Sequence, residues 1–267
     1  MSLEGRTIAV AESRQLEELT ALLEREGADV IRCPMLSIVD LPHPEPVLAW
    51  IKELVARPFD YTIFLTGEGV RRLTVVAEAG GMRSEFVAAL GRSRLVTRGP
   101  KPVRALRELD LVPAHVATMP TTAGVIETLR SQSVQGTRIG LQNYPDAPGA
   151  IADFLHSAGA AVHPVVPYAY APHADGDRVA GLIGTMSSGR VDVIIFTSSP
   201  QVDRLVEVAR QRKLEAELDR GWQTTRVAAI GPVVAENLRE RGVRVDIVPE
   251  QGFVMKNLVQ QVRRTLN

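Results

Sequence analysis

The 267-residue chain has a single cysteine, few aromatic side chains and no excess of charge of either sign. Because one cysteine cannot pair with another in the same chain, an internal disulfide framework and a cysteine metal site are both excluded. Cys33 follows Val30 and Ile31 in a mainly apolar run, which predicts a buried, structural thiol. Aromatic residues make up only 4% of the chain, so we expect an aliphatic core.

The charge balance and the lack of long apolar runs narrow the class of protein. Lys and Arg number 31 and Asp and Glu also number 31, whereas nucleic-acid binders usually carry an excess of basic residues. No segment approaches the roughly 18 apolar residues that a membrane span needs. The N-terminus has neither the basic start nor the apolar stretch of a signal peptide. We therefore expect no nucleic-acid partner, no membrane association and a cytoplasmic location.

Several catalytic motifs are also missing from the sequence. Neither G-x-G-x-x-G nor G-x-x-x-x-G-K-[ST] occurs, so dinucleotide and P-loop phosphate sites have no support. Ser198 has no nucleophile-elbow context, which disfavours a serine hydrolase. The histidines form no metal-binding motif; they are His43, His115, His156, His163 and His173. We expect neither a metal nor a cofactor.

Short apolar runs alternate with helical periodicity along most of the chain. The predicted strands are Thr7–Ala11, Asp29–Cys33, Tyr61–Leu65, Arg94–Thr97, His115–Thr118, Arg138–Gln142, Ala161–Val166, Val191–Thr197, Arg226–Ile230 and Arg244–Val248. Residues 193–196 are apolar without polar alternation, as expected when helices cover both faces of a sheet. Between the strands, residues 15–26 place four leucines on one helical face. The alternation predicts an α/β fold with parallel sheets and right-handed crossovers.

An internal repeat indicates a duplicated unit. Residues Ile63–Leu73 match Ile195–Leu205, and Gly99-Pro100 matches Gly231-Pro232, both at a separation of 132 positions. Two extended, proline-bearing stretches, Pro34–Val39 and Pro164–Tyr170, could each link two bodies. The repeat by itself leaves two arrangements open, one with tandem halves and one in which the halves exchange segments.

The strand ends of the repeat resemble those of the uroporphyrinogen-III synthase family. The similar stretches are Phe196–Ser199, Ala229–Ala235, Arg98–Lys101 and Val165–Tyr168. The resemblance implies two domains, 1–38 plus 172–267 and 39–171, each with a five-stranded parallel sheet flanked by helices. A two-stranded linker would join them, and the ligand would lie in the cleft between them.

The same resemblance implies a reaction. The substrate would be hydroxymethylbilane, a linear chain of four pyrroles with eight carboxylates, which a cyclising lyase closes with loss of water and inversion of the last ring. The family's tyrosine, which assists departure of the hydroxyl, falls on Tyr168; Tyr170 could compete for the role, or Tyr168 could simply pack in the linker. We expect a monomer. A non-catalytic, hinged module that binds a tetrapyrrole or another anionic ligand is the alternative.

Candidate substrate-binding residues lie at strand ends that run into helices, where backbone N–H groups can bind carboxylates. They are Thr66, Gly67, Gly99, Gln142, Asn143, Thr197, Ser198, Ser199, Gly231, Pro232 and Val233, with Arg14, Arg98 and Lys101 as nearby cations. Each type has a structural alternative: glycines that relieve φ strain, Thr and Ser that cap helices, and solvated surface charges.

The sequence departs from the family pattern at three of these strand ends. Gln142-Asn143 stands where a basic residue is common, and Glu12-Ser13 where a Thr often precedes the first arginine. Leu65-Thr66-Gly67 replaces Thr-Ser-Ala. Side-chain contacts with the substrate are therefore in question, although backbone donors would survive these changes.

Overall fold

The computed structural model describes residues 2–172 and 175–267, so that His173, one of the five histidines, lies outside the described chain. The strands are β1 (Thr7–Val10), β2 (Asp29–Arg32), β3 (Leu36–Val39), β4 (Tyr61–Phe64), β5 (Arg94–Thr97), β6 (His115–Val116), β7 (Arg138–Gln142), β8 (Ala161–Val165), β9 (Ala169–Pro172), β10 (Val193–Phe196) and β11 (Arg226–Ala229). The helices are α1 (Leu16–Arg25), α2 (Glu45–Ala56), α3 (Gly67–Ala79), α4 (Arg83–Gly91), α5 (Pro100–Arg107), α6 (Thr122–Arg130), α7 (Ala150–Ser157), α8 (Gly176–Ser187), α9 (Ser199–Arg212), α10 (Glu215–Thr224), α11 (Pro232–Glu240) and α12 (Met255–Leu266).

The chain divides into two compact units. One unit, here called the terminal unit, consists of residues Met1–Ser37 and Ala171–Asn267, and the other, the central unit, is Ile38–Tyr170. Strands β3 and β9, where the chain passes between the units, pair as a two-stranded sheet. The predicted α/β class with parallel sheets is confirmed, because every assigned pair in the two larger sheets is parallel.

The two larger sheets repeat one strand order. The central sheet runs β6-β5-β4-β7-β8 and the terminal sheet runs β11-β10-β1-β2, so β5-β4-β7-β8 corresponds to β11-β10-β1-β2. This equivalence matches the separation of 132 positions, which pairs β4 with β10 and β5 with β11. The central sheet is built from one continuous stretch of chain, whereas the terminal sheet combines β1 and β2 with β10 and β11 from a second stretch.

The terminal sheet has four strands, not the predicted five. The segment predicted as the fifth strand forms only an isolated bridge, between Ala228 and Ile247. The carboxylate of Asp246 explains the shortening, because its Oδ2 accepts the backbone N–H of Val227 at 2.8 Å. The N–H of Val227, which a fifth strand paired along β11 would need as a donor, is therefore hydrogen-bonded to a side chain instead.

Helices cover both faces of each sheet, as the apolar strands predict. All four residues of β10 are buried, as are all four of β4. On β4, Phe64 packs in one core cluster and Tyr61 and Ile63 in another, so the central sheet has a core on each face. Helix α1 buries Leu19 and Leu23 against the terminal core. Cys33 is buried there, as predicted.

Candidate functional site

The carboxyl ends of the central strands bring several predicted residues to one edge of the sheet. Thr66 follows β4, Arg98 follows β5, and Gln142 ends β7. These strands are parallel and adjacent, so their ends meet at the same edge, where open α/β sheets bind ligands. We call this edge, with Tyr168, the central edge.

Thr66 connects the helix start to the predicted catalytic tyrosine. It is the N-cap of α3, and its Oγ1 accepts the backbone N–H of Gly69 at 2.9 Å. The same oxygen lies 3.3 Å from the hydroxyl of Tyr168. The capping role left open by the sequence is therefore real, and one hydroxyl serves both contacts.

Gln142 is fully buried, and its amide is used inside the protein. Its Oε1 accepts the backbone N–H of Thr66 at 3.1 Å and lies 3.4 Å from Thr66 Oγ1. Its Nε2 donates to the carbonyl of Asn143. Asn143 is half-buried, and its own N–H donates to the carbonyl of Val165 at 2.8 Å. The predicted contact of the Gln142 side chain with substrate therefore has no exposed group to support it.

Arg98 stacks on an aromatic residue that sequence reasoning did not include in the site. The guanidinium carbon of Arg98 lies 5.1 Å from the centroid of the Tyr144 ring, a cation–π geometry. Tyr144 follows β7 by two residues, and its position at a strand end was the signal available in the sequence. Both residues are half-buried, so the stacking fixes a cation at the central edge.

Close approach, not backbone strain, explains the glycines at these strand ends. Gly99 has φ 176° and Gly231 has φ −176°, extended values that any residue adopts, so the expectation of φ relief is wrong. A Cβ on Gly99 would lie 2.9 Å from Pro120. A Cβ on Gly67 would lie 2.5 Å from the carbonyl oxygen of Lys101, which places the starts of α3 and α5 side by side. The Lys101 side chain is exposed.

Tyr168 is enclosed, with 1% of its surface exposed. Burial raises the pKa of its phenol above the ordinary value, against smaller lowering contributions from hydrogen bonds with Thr66 and Tyr170. The charge of Glu68 raises the pKa further and that of Arg98 lowers it. The ring of Tyr170 meets that of Tyr168 edge-on, with centroids 5.8 Å apart. The net effect keeps the phenol protonated at neutral pH, as a proton donor requires.

The terminal unit has its own polar cluster at the corresponding edge, the ends of β1 and β10. Thr197 is buried; its N–H donates to Gln201 Oε1 at 2.8 Å, and its hydroxyl donates to Glu12 Oε2. The N–H of Ser198 donates to the same Gln201 oxygen at 3.2 Å. Ser198 and Gln201 form a capping box at the start of α9.

Glu12, noted in the sequence only as a departure from the family pattern, is a buried carboxylate. Its Oε1 accepts the backbone N–H groups of Ser13 at 3.0 Å and Arg14 at 2.9 Å, with Gln15 at 3.4 Å. Burial raises the pKa of this carboxyl, but the hydrogen bond from Thr197, the charge of Arg14 and the backbone donors together lower it below its usual range. The backbone N–H groups that follow β1 are therefore already hydrogen-bonded to a carboxylate of the chain itself.

The remaining predicted residues of the terminal unit lie at helix starts. Ser199 is the first residue of α9, Gly231 is the N-cap of α11, and Pro232 and Val233 open that helix. Gly231 is buried, and a Cβ there would lie 3.1 Å from the Phe253 ring. The predicted cation Arg14 is exposed.

Within residues 2–172 and 175–267, no group of three or more His, Cys, Asp or Glu side chains could hold a metal ion. Over the same residues, no helix is long and apolar enough to cross a membrane.

Comparison with known proteins identifies the family. The profile of the uroporphyrinogen-III synthase HemD family matches residues 17–260. The uncharacterized protein YjjA of Bacillus subtilis is 31% identical over 249 residues, which cover 92% of this chain and 91% of YjjA. A mutant uroporphyrinogen III synthase from the extremely thermophilic bacterium Thermus thermophilus superposes with a TM-score of 0.79 and 28% identity, covering 98% of this chain and 99% of that one. The Helicobacter pylori uroporphyrinogen-III synthetase, 13% identical with a TM-score of 0.55 over 98% of this chain and all of its own, shares the fold. The chain belongs to the uroporphyrinogen-III synthase family.

Proposed function

We propose that this chain is a uroporphyrinogen-III synthase that cyclises hydroxymethylbilane to uroporphyrinogen III. The observation that carries the proposal is the placement of the Tyr168 phenol at the carboxyl edge of the central sheet, 3.3 Å from the Thr66 hydroxyl. Parallel sheets bind ligands at this edge, and the family match extends over residues 17–260.

In the proposed reaction, Tyr168 acts as the general acid. The phenol donates its proton to the terminal hydroxyl of the substrate, the C–O bond breaks with its electron pair on oxygen, and water leaves. The substituted α-carbon of the last ring bonds to the methylene left by the departing water, and its bond to the methylene that joins it to the third ring then breaks. That second methylene bonds to the free α-carbon of the last ring, which inverts the ring, and the proton lost from this carbon restores the phenol. Because Tyr168 is 1% exposed, its hydroxyl has to become accessible when substrate binds.

Binding of the substrate carboxylates is assigned mainly to the central edge. Arg98, fixed on the Tyr144 ring, and the exposed Lys101 at the start of α5 supply positive charge. The first turns of α3 and α5 lie side by side and add helix-dipole attraction, each worth about 0.3–1 kcal/mol to an anion. The helix start at Gly231–Val233 and the exposed Arg14 of the terminal unit stay predictions from the family resemblance.

One observation favours the second candidate, a non-catalytic module that binds anionic tetrapyrroles. The amides of Ser13–Gln15, which could have bound a substrate carboxylate, already hold the buried carboxylate of Glu12. A protein that lost one contact with its substrate could still bind a tetrapyrrole without turning it over.

The isomer composition of the product separates the two candidates. Hydroxymethylbilane closes spontaneously to the type I isomer, so wild-type protein added to freshly generated substrate is expected to give type III. The oxidised products are resolved by chromatography. A type I excess equal to that of a protein-free reaction would eliminate the synthase and favour the binding module.

We further propose a cytoplasmic monomer. The single cysteine is a buried free thiol, as expected in a reducing compartment. The molar mass from light scattering tests the monomer; a mass of twice 29.1 kDa would contradict it.

A further inference from the structure

In both units, a glutamine side-chain amide hydrogen-bonds the turn that follows a strand of the sheet. The glutamine stands at a different position of the repeat in each unit. In the terminal unit the amide belongs to Gln201 on α9, whose Oε1 accepts the N–H groups of Thr197 and Ser198. In the central unit it belongs to Gln142 at the end of β7, whose Oε1 accepts the N–H of Thr66. Ser198 and Thr66 are equivalent in the repeat.

At each of the two repeat positions, one unit has a glutamine and the other has a small residue. The repeat pairs Gln201 with Gly69, and a Cβ on Gly69 would lie 2.0 Å from the amide carbon of Gln142. Strand register pairs Gln142 with Phe64, whose equivalent in the terminal unit is Phe196. There the last paired residues are Val10 and Ile195, so Ala11, the residue after β1, is next in register to Phe196. Each unit therefore has one glutamine and one small residue, and the small residue leaves room for the amide.

In the central unit, but not in the described part of the terminal unit, the turn residue that the glutamine contacts also contacts a tyrosine. The Thr66 hydroxyl has one proton and two acceptors nearby, Gln142 Oε1 at 3.4 Å and the Tyr168 hydroxyl at 3.3 Å. The N–H of Gly69 already donates to the Thr66 hydroxyl oxygen, and this hydrogen bond fixes the orientation of the Thr66 hydroxyl group. When Thr66 donates to Tyr168, the proton of the phenol is left for another acceptor.

We propose that Gln142 is a positioning residue that holds Thr66 in the orientation in which its hydroxyl hydrogen-bonds Tyr168. This inference rests on the proposed function for its effect on turnover, but the hydrogen bond itself can be measured without substrate. The amide oxygen of Gln142 holds the Thr66 backbone by accepting its N–H. Because this oxygen is uncharged, it competes only weakly for the Thr66 hydroxyl proton. The Thr66 hydroxyl can therefore donate to the Tyr168 phenol.

The amide can be moved from one position to the other as a test. Gln142→Met keeps the volume and removes the amide, and Gly69→Gln places a side chain where Gln142 lies. Each single variant is expected to lower kcat about tenfold with KM within about twofold, since the contact acts through Tyr168 and not on substrate binding. The double variant Gln142→Ala with Gly69→Gln reproduces the arrangement of the terminal unit and is expected to recover kcat to within about threefold of wild type.

A second readout distinguishes positioning from a purely structural role. The ζ-carbon resonance of Tyr168 in ¹³C-labelled, substrate-free protein reports its hydrogen bonding and is assigned with Tyr168→Phe. We expect the resonance to shift in both single variants and to return in the double variant. Gln201→Met, the matched change in the terminal unit, should leave it in place.

Recovery of the melting temperature in the double variant without recovery of the resonance would overturn the inference, as would an unshifted resonance in Gln142→Met. If Gln142→Met does not fold, the resonance of the double variant decides alone. If wild-type protein makes no type III isomer, the proposed function fails while the resonance still decides whether Gln142 positions Thr66 and Tyr168.

Discussion

Tyr168 and Tyr61 are both buried tyrosines of the central unit, but only Tyr168 lies at its carboxyl edge. We expect Tyr168→Phe to lower kcat by about 10²-fold or more, the usual contribution of a positioned acid. Tyr61, whose hydroxyl accepts from Arg94 at 2.9 Å at the opposite end of the sheet, provides the matched control. Steady-state kinetics should give near wild-type kcat for Tyr61→Phe; equal losses in both variants would show that the effect is structural.

The pKa of Tyr168 also predicts how activity depends on pH. Burial is the largest cause and raises this pKa above the ordinary value of 10.0, so the phenol keeps its proton through the neutral range. Activity should fall only as the pH rises through the raised value and the donor ionises. A kcat–pH profile measured in the stable range should therefore show no basic limb assigned to this group below about pH 10. A Tyr168-dependent limb near neutral pH would contradict the assignment.

Glu12 is predicted to stabilise the fold in a pH-dependent way. Its pKa is lowered in the folded state, so the unfolded chain binds more protons as the pH falls, and stability present above about pH 4.5 is lost below it. Glu12→Gln should cost about 1–3 kcal/mol near neutral pH, because a neutral amide oxygen replaces the charged acceptor and an NH2 donor replaces the oxygen that accepts from the Thr197 hydroxyl. Urea unfolding at several pH values is the measurement. The difference between wild type and variant should shrink in acid, and a constant difference would refute the prediction.

At the scale of elements, two glycines should respond oppositely to alanine. In β7, a Cβ on Gly140 would lie 2.5 Å from the Phe59 ring and 2.8 Å from Trp50, so Gly140→Ala should lower the free energy of unfolding by about 1–3 kcal/mol. In α8, nothing lies within 4 Å of the corresponding position on Gly181. There the alanine should raise the free energy of unfolding by about 0.5–1 kcal/mol. Urea unfolding tests both, and a change of the same sign in both variants would contradict the packing described.

The elements were largely predictable because their signals are local. Apolar runs such as Val193–Phe196 are bounded by turn residues, and a strand buried on both faces needs no other information. The missing fifth strand of the terminal sheet was not predictable, since residues 244–248, with three β-branched residues, also have the pattern of a strand. Its shortening depends on where the Asp246 carboxylate meets Val227, which is a tertiary contact.

The candidate site was less predictable for the same reason. Tyr168 was found by family resemblance, but the burial of Glu12 and the amide of Gln142 depend on which strands become neighbours. One signal was present in the sequence: the repeat aligns Gly69 with Gln201, a small residue opposite a glutamine. Such a mismatch between duplicated halves becomes informative only when the fold shows what fills the space.

At the scale of the whole molecule, the duplication accounts for the arrangement of the chain. Strand order β5-β4-β7-β8 in the central unit and β11-β10-β1-β2 in the terminal unit is the same, although the terminal sheet takes β1 and β2 from the first 37 residues. The polar clusters at equivalent strand ends have diverged. The terminal cluster has Glu12 and no tyrosine, while the central cluster has Thr66, Gln142 and Tyr168, which is where we place the acid.

The yield of type III isomer at substoichiometric protein tests the central claim most directly. Hydroxymethylbilane in large excess is mixed with increasing amounts of wild-type protein, and the isomers are separated after oxidation. A synthase should convert many equivalents, so that the type III fraction exceeds the amount of protein and rises with it. A type III yield no greater than the protein present, or a product mixture matching that obtained with heat-denatured protein, would contradict the assignment of catalysis to this chain.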